Sequence, residues 1–534
     1  MTPAPDESTL SASIWAPLRT GPFRAVWLAA LASNIGSWMQ TVGAQWLLVG
    51  VPHAALYVSL VQTADMLPNL LLGMVGGTLA DIFDRRRLLI AVESMLAVTC
   101  AALAALTLAH RMSPELLLIF TFLMGLGSVP EAPAFQAIVP DLVPRGQIPA
   151  ASALSSVNVN LARAIGPAIA GIVIVRSSVG ALFVTNTLTF VLFAVVIAAW
   201  RAPKRAAAGY REPFGAALRA GSNYVRYAPV VRRVMLRAAL FLVPGSIIWA
   251  LLPLIASERL GLGAGGYGVL LAAFGAGAIG GAFVLAPLRE RWTANAIVVA
   301  GSAVFAAALV ATALVRNELI VLLALLPAGV AWVGLLSGFN ASLQLFLPEW
   351  VRARGLAIYQ IVFYGAQALG ALLWGAVANG FGLVPTFLAA AAVMLVGAGT
   401  IRLWPLIDTR GMDRSRAVHW EEPVVALTGD ALGGPVVVHT TFTVAPEHEA
   451  QFLRAMRRVR LSRLRTGAIQ WGLFRDAEHP HRFVELFLVA TWEEHLQQHG
   501  ERQTGADRRF DEEAKSFSDP PPKTTHYIGA EVGR

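Results

Sequence analysis

The runs Leu56 to Leu79 and Leu88 to Ala109 are almost wholly apolar, and between them lies a knot of charge: Asp81, Asp84, Arg85, Arg86 and Arg87. As a helix, each run is long enough to cross a hydrocarbon layer roughly 30 Å thick. Hydrocarbon offers no water to the backbone, so each run must close its own hydrogen bonds as a helix, and the charges must fall in a short loop at one membrane face. The chain repeats this pattern. Of its 534 residues, 56% are hydrophobic and 14% charged, with mean hydropathy +0.60, more apolar surface than a water-soluble core can hide.

Twelve spans are expected, near 25–50, 56–80, 88–109, 115–137, 151–175, 179–200, 236–257, 266–288, 294–315, 319–346, 355–378 and 384–404. With the N-terminus inside, the inner loops carry 19 Lys and Arg and the outer loops four, so the positive-inside rule puts both termini in the cytoplasm of a cell bounded by its inner (plasma) membrane. Segment 1–24 is expected to be cytoplasmic, and within it Met1 to Thr20 has no basic region followed by an apolar core, so no cleaved signal peptide is expected. Spans 25–200 and 236–404 form two six-helix halves around a basic linker, 201–235, read either as an interfacial helix or as a topology-fixing strand of charge. Pro140 to Gly146 before span five resembles Pro348 to Gly355 before span eleven, which supports two related halves. Eight of the ten His lie beyond residue 404, so a second domain is expected at 435–534, after a linker at 405–434. The lone Cys100 sits in an apolar run and excludes an intrachain disulfide. No cofactor, metal or nucleic-acid partner is expected; the partners are the lipid bilayer, a small-molecule substrate and protons.

Gly77-x-Leu79-x-Asp81-x-x-x-Arg85-Arg86 resembles the signature of the major facilitator superfamily between its second and third helices, although Ile82 stands where the family has Arg. The stretches Asn34 to Gln40, Ala162 to Gly171 and Gly263 to Gly268 resemble its exporter branch, which includes the enterobactin exporter and macrolide-type efflux proteins. Within them, Gly166, Pro167 and Gly171 are similar to the family's antiporter motif; glycine lets helices approach and proline removes a hydrogen bond, which favours either a hinge or plain packing. The resemblance implies a secondary exporter working by alternating access. It also implies that Asp81 meets the start of span eleven, where Arg352 and Arg354 are the candidates.

Charges inside the bilayer cost about 2.5–3.5 kcal/mol each at its centre, so Asp65, Glu93, Glu131 and Arg163 are candidates for function. Asp65 shares a helical face with Gln62 and Asn69, as either a proton site or a structural hydrogen-bonding group. Arg163 shares a face with Asn160, and an ion pair with Glu131 is expected, either switching or permanent. Glu93, six residues past Arg87, is expected to pair with loop arginines. Further polar stripes, Asn34, Trp38, Thr41 and Gln45, then Asn340 and Gln344, then Gln360, Tyr364 and Gln367, are expected to line a cavity for a partly apolar molecule or to tie helices together.

Beyond residue 434 the order β-α-β-β-α-β predicts a ferredoxin-like module. With Trp492 to His499 after the third strand, it resembles the antibiotic biosynthesis monooxygenase-like fold, a dimeric α+β barrel. That resemblance implies a homodimer through the tail, and a tail site at His439, Trp471, His495 and His499. The reading drawn from all of this is a proton-coupled exporter that is not itself an enzyme. The alternatives are an importer or facilitator, and a transporter fused to a cofactor-free oxygenase-like domain.

Overall fold

The computed structural model describes residues 14–201, 214–409, 412, 413, 415 and 434–529; the side chains of 78, 80, 81, 214–220, 282, 283 and 286 lie outside that description. Thirteen helices precede the tail: α1 Gly21–Leu47, α2 Ala54–Ile82, α3 Arg85–Leu108, α4 Pro114–Leu142, α5 Ile148–Arg176, α6 Val179–Ala199, α7 Phe214–Tyr227, α8 Pro229–Leu254, α9 Ala264–Arg291, α10 Ala294–Leu314, α11 Glu318–Phe346, α12 Glu349–Phe381 and α13 Leu383–Gly399. Short polar side chains start several of them. Asp84, Ser113, Ser178 and Thr293 each accept from a backbone N–H of the first turn, covering donors that no helix can satisfy internally.

Eleven described helices are long and apolar enough to cross a membrane, against the twelve expected. The exception is α1, which has the length, at 27 residues, but whose apolarity is diluted by Asn34, Gln40 and Gln45. The chain divides into two units. One holds Met1–Ala207, Leu236–Phe339 and Tyr359–Pro405; the other holds Ala208–Met235, Asn340–Ile358 and Leu406–Arg534.

In the first unit, helices meet through glycine. A Cβ on Gly268 of α9 would lie 2.5 Å from the Pro167 carbonyl oxygen of α5, and one on Gly275 would lie 2.7 Å from the Ala164 Cα. Similarly, Gly125 of α4 abuts the Asp65 carbonyl of α2, and Gly76 of α2 abuts the Val129 carbonyl of α4, each with 2.5 Å of room. Such backbone approach replaces the hydrophobic effect, which lipid cannot supply between helices.

In the second unit, strands β1 Val436–Thr443, β2 Gln470–Arg475, β3 Arg482–Val489 and β4 Lys523–Ile528 form one antiparallel sheet in the order β2-β3-β1-β4. Helix α14 Glu449–Thr466 joins β1 to β2, while α15 Trp492–Gln497 and α16 Gly505–Lys515 join β3 to β4, the β-α-β-β-α-β order expected. Burial alternates along β1 and β3, as a sheet covered on one face requires. Phe442, Phe452, Met456, Val459 and Phe483 fill one core cluster; Val436, Val438, Phe487 and Trp492 fill another. The resemblance to the monooxygenase-like barrel is corrected here. The four strands make an open sheet, with β2 and β4 at its edges and no closure into a barrel.

Replacing Gly268 with Val should push α9 off α5 and cost about 1–3 kcal/mol, lowering the Tm of the detergent-solubilised protein by several degrees. Gly280→Ala, where a Cβ meets open space, should leave it unchanged.

Candidate transport cavity

Near the middle of its helices the first unit encloses a cavity of about 330 Å³. Its lining gathers Asn34, Trp38 and Thr41 from α1, Gln62, Asp65 and Asn69 from α2, Glu131 from α4, Arg163 from α5, and Tyr364 and Gln367 from α12. Sequence reasoning missed Thr121, Met124, Ser128, Trp249, Trp332 and Phe363, which share the wall. Trp249 and Trp332 lie in runs so apolar that nothing in the sequence separates a cavity-facing Trp from a core one. Trp38, Trp249 and Trp332 form a chain, with ring centroids 5.5 and 5.8 Å apart.

The polar groups are held in place by hydrogen bonds across helices. Asn34 donates to the Asn158 side-chain oxygen at 3.0 Å, Asn158 donates to the Trp27 carbonyl at 2.8 Å, and Asn69 donates to Ser128 Oγ at 2.9 Å. Arg163 lays its guanidinium 5.5 Å from the centre of the Trp38 ring, a cation–π contact. Tyr364 of the second half lines the same cavity as Asp65, Glu131 and Arg163 of the first.

Glu131 and Arg163 line the same cavity, yet no ion pair between them is found among the described residues; the expected pair is replaced by the stacking of Arg163 on Trp38. Glu93 is likewise corrected. It is buried with no exposure, and neither carboxyl oxygen has a hydrogen-bond partner among the described residues, so it does not pair with the loop arginines. Those arginines are engaged elsewhere. Arg85 donates to the Ala137 carbonyl of α4 at 3.1 Å, and Arg86 to the Ile197 carbonyl at 3.1 Å and to that of Ala198, covering the open carbonyl end of α6.

Several polar residues on the expected stripes take other places. Gln45 donates to the Trp249 carbonyl at 2.7 Å and accepts from the Tyr267 hydroxyl at 2.5 Å, so it joins the two halves beside the cavity. Thr63 makes a second link, donating to the Ala368 carbonyl at 3.0 Å. Asn160 donates to Ser156 of its own helix, Gln360 is exposed, and Gln344 donates to Asn340 within the second unit. A stripe states which residues share a helix face, and only the packing decides what that face meets.

Gly166 and Gly171 are close-approach positions. A Cβ on Gly166 would lie 2.6 Å from Trp38 Cβ, and one on Gly171 would lie 3.0 Å from the Ala264 carbonyl oxygen; Pro167 is buried beside them. Gly77 has open space where a Cβ would stand. The expected contact of Asp81 with span eleven falls on a side chain outside the described residues. Arg352 donates to the Leu347 carbonyl at 3.3 Å, and Arg354 packs on Gly221, both within the second unit.

In the tail, the four candidates separate. His439 faces Tyr527 across the sheet, and Trp471 donates to Glu485 at 2.8 Å. His495 and His499 come together, with ring centroids 4.8 Å apart, and β4 adds His526 at 5.0 Å from His495, a neighbour that sequence spacing hid. Burial, then the charge of His526, pushes the His495 imidazole down to about 4. Burial and the nearby Arg463 push His499 down as well. Beside them Arg463 bonds Glu485 at 3.3 Å and Asp511 at 2.5 Å. Burial opposes ionisation of Asp511, but Arg463 and Lys515 hold it below the usual carboxylate range.

A helical bundle whose two halves close round a polar, charge-bearing cavity near the middle of its helices is a transporter of the major facilitator fold. The chain belongs to the transmembrane secretion effector family, whose sequence profile matches residues 12–533. It is 36% identical over 142 residues to the staphyloferrin A transporter of Staphylococcus aureus, a match covering 26% of this chain and 36% of that protein. It is 24% identical to the multidrug efflux pump Tap of Mycolicibacterium fortuitum, over 71% of this chain and 94% of the pump. Among solved structures, an inward-facing bacterial homologue of the human lysosomal transporter Spinster superposes with TM-score 0.59 at 14% identity, covering 72% of this chain and 97% of that one. The D-xylose-proton symporter does so with TM-score 0.56 at 13% identity, covering 72% and 98%. At such identities the likeness is one of fold.

His495 stays neutral in the folded tail, so below pH 6.5 the unfolded chain takes up protons that the folded one refuses. The tail's stability should therefore be full above pH 6.5 and fall as the pH drops towards 4, and Asp511 adds a further loss at lower pH. Hydrogen exchange of tail strands in the full chain should accelerate across that window, and His495→Phe should reduce the dependence, with His499 and His526 carrying the remainder.

Proposed function

We propose that this protein is a proton-coupled exporter of a small, partly apolar organic molecule, working by alternating access from the plasma membrane with both termini in the cytoplasm. The observation that carries the reading is the cavity itself: Asp65, Glu131 and Arg163 stand among amides and aromatic rings contributed by both halves. A carboxyl group at that depth can gain and lose a proton as the cavity changes side, because its ionised form is stabilised only when water or a cation reaches it. Trp38, Trp249, Trp332 and Tyr364 offer stacking surface, while Gln62, Asn69 and Gln367 offer hydrogen bonds. Export is supported by the relatives named as efflux pumps, and the inward placement of the termini by the excess of Lys and Arg in the loops on one side.

We read the tail as an accessory module without catalysis. His499 and His526 pack ring on ring around the fully buried His495, and the cavities beside α14 are lined by other residues, among them Arg458, Arg465 and Phe510. It is built onto the stretch before span eleven: Trp350 lies 5.7 Å from the Tyr224 ring and 5.1 Å from the Arg502 guanidinium. Those contacts favour a regulatory role.

In proteoliposomes with an imposed pH gradient and ethidium as probe, Asp65→Asn should reduce uphill efflux to background while exchange down a probe gradient continues. Uphill efflux at the wild-type rate would remove Asp65 from coupling. Deleting 405–534 should leave gradient-driven efflux in place, and its loss from a folded bundle would make the tail part of the transport machinery.

A further inference from the structure

Glu93 of α3 is fully buried, and both of its carboxyl oxygens lack a hydrogen-bond partner among the described residues. An ionised carboxylate there would forgo water and counter-charge at once, so the group must carry a proton. Among the described residues, its surroundings supply no cation. Helix α6 has no titratable residue, and α1 has only Arg24, exposed near its start. On α2 the titratable groups are Tyr57, Asp65 and Asp81, the last with its side chain outside the description; on α3 itself they are Cys100 and the three arginines of the first turn, two of which are bonded to carbonyls. The element that does bring a charge is α4.

Helices α3 and α4 are joined by residues 109–113 and run antiparallel. They cross where Met95 and Leu96 pack against Gly127, at which a Cβ would lie 2.8 Å from Met95 Cε and 2.6 Å from Leu96 Cδ2. One turn from that crossing, three residues back on α3 and four forward on α4, Glu93 comes alongside Glu131. Glu131 is also the charge whose field Glu93 feels, and it lines the cavity wall together with Leu96.

We propose that Glu93 and Glu131 form a carboxyl pair that cycles between one proton and two, with Glu131 exchanging a proton with the cavity and Glu93 keeping its own. When the Glu131 O–H bond breaks and its proton passes to cavity water, the electron pair stays on Glu131. The intact Glu93 O–H then donates a hydrogen bond to the new carboxylate. Glu93 is thus a positioning residue, setting the pH at which Glu131 discharges. The proposal rests on the proton-coupled reading above.

Infrared spectroscopy of the full chain in liposomes tests it without a substrate. At neutral pH the wild type should show a protonated-carboxyl band, distinct from those of Asp65 and Glu131, that Glu93→Gln removes and Glu131→Gln displaces. Absence of the band, its survival in Glu93→Gln, or indifference to Glu131→Gln would overturn the pair. With ethidium and a pH gradient, Glu93→Leu, which fills the space but cannot donate, should shift the pH profile of efflux, whereas Glu93→Gln, which can donate, should keep the wild-type profile. A wild-type profile in Glu93→Leu would also overturn it. Gradient-independent efflux by the wild type would instead defeat the proton-coupled reading, and the infrared result would still decide whether Glu93 and Glu131 are paired.

Discussion

Inside hydrocarbon a backbone amide finds no partner but another backbone group, and the remainder of this structure follows from that scarcity. Each span closes its own hydrogen bonds, so helices are left to recognise one another through shape. Glycines do most of that. Gly268 against Pro167, Gly275 against Ala164 and Gly125 against Asp65 bring backbones to distances that a methyl group would prevent. The polar bonds that remain are few and specific, such as Gln45 holding the Trp249 carbonyl and the Tyr267 hydroxyl. A bundle joined this way can have two halves that separate without losing their internal packing.

The same scarcity explains where the charges are. A carboxylate or guanidinium far from water is costly, so it survives only where a cavity, a ring face or a proton relieves it. Asp65 and Glu131 have the cavity, and Arg163 has the Trp38 ring. In the tail, where the surroundings are more polar, the solution differs. Arg463 is buried between Glu485 and Asp511, with Trp471 donating to the same Glu485 oxygen, so the charges satisfy one another directly.

Much of the fold was legible because its cause is local. Span length, loop charge and the order of tail strands are written in consecutive residues, and the spans and the strand order appear where periodicity put them, with α1 the least apolar of the membrane-length helices. The face of α2 bearing Gln62, Asp65 and Asn69 was readable from spacings of three and four. What those faces meet was not. Gln45 and Asp65 look alike as polar residues in apolar runs, yet one ties two halves together and the other lines a cavity. The barrel resemblance of the tail failed for a related reason: strand order is carried by the sequence, while closure depends on how far the sheet curls.

By itself, then, the sequence determined that the chain crosses a membrane many times and that a few charges lie where charge is expensive, because hydropathy and charge act over a single helix. Only the tertiary structure decided that Arg163 stacks on Trp38 instead of pairing with Glu131, that His526 joins His495 and His499, and that Glu93 is buried without a hydrogen-bond partner among the described residues, away from the loop arginines. Those partners lie on different helices and strands, and the choice among them is made by the packing of backbones against one another.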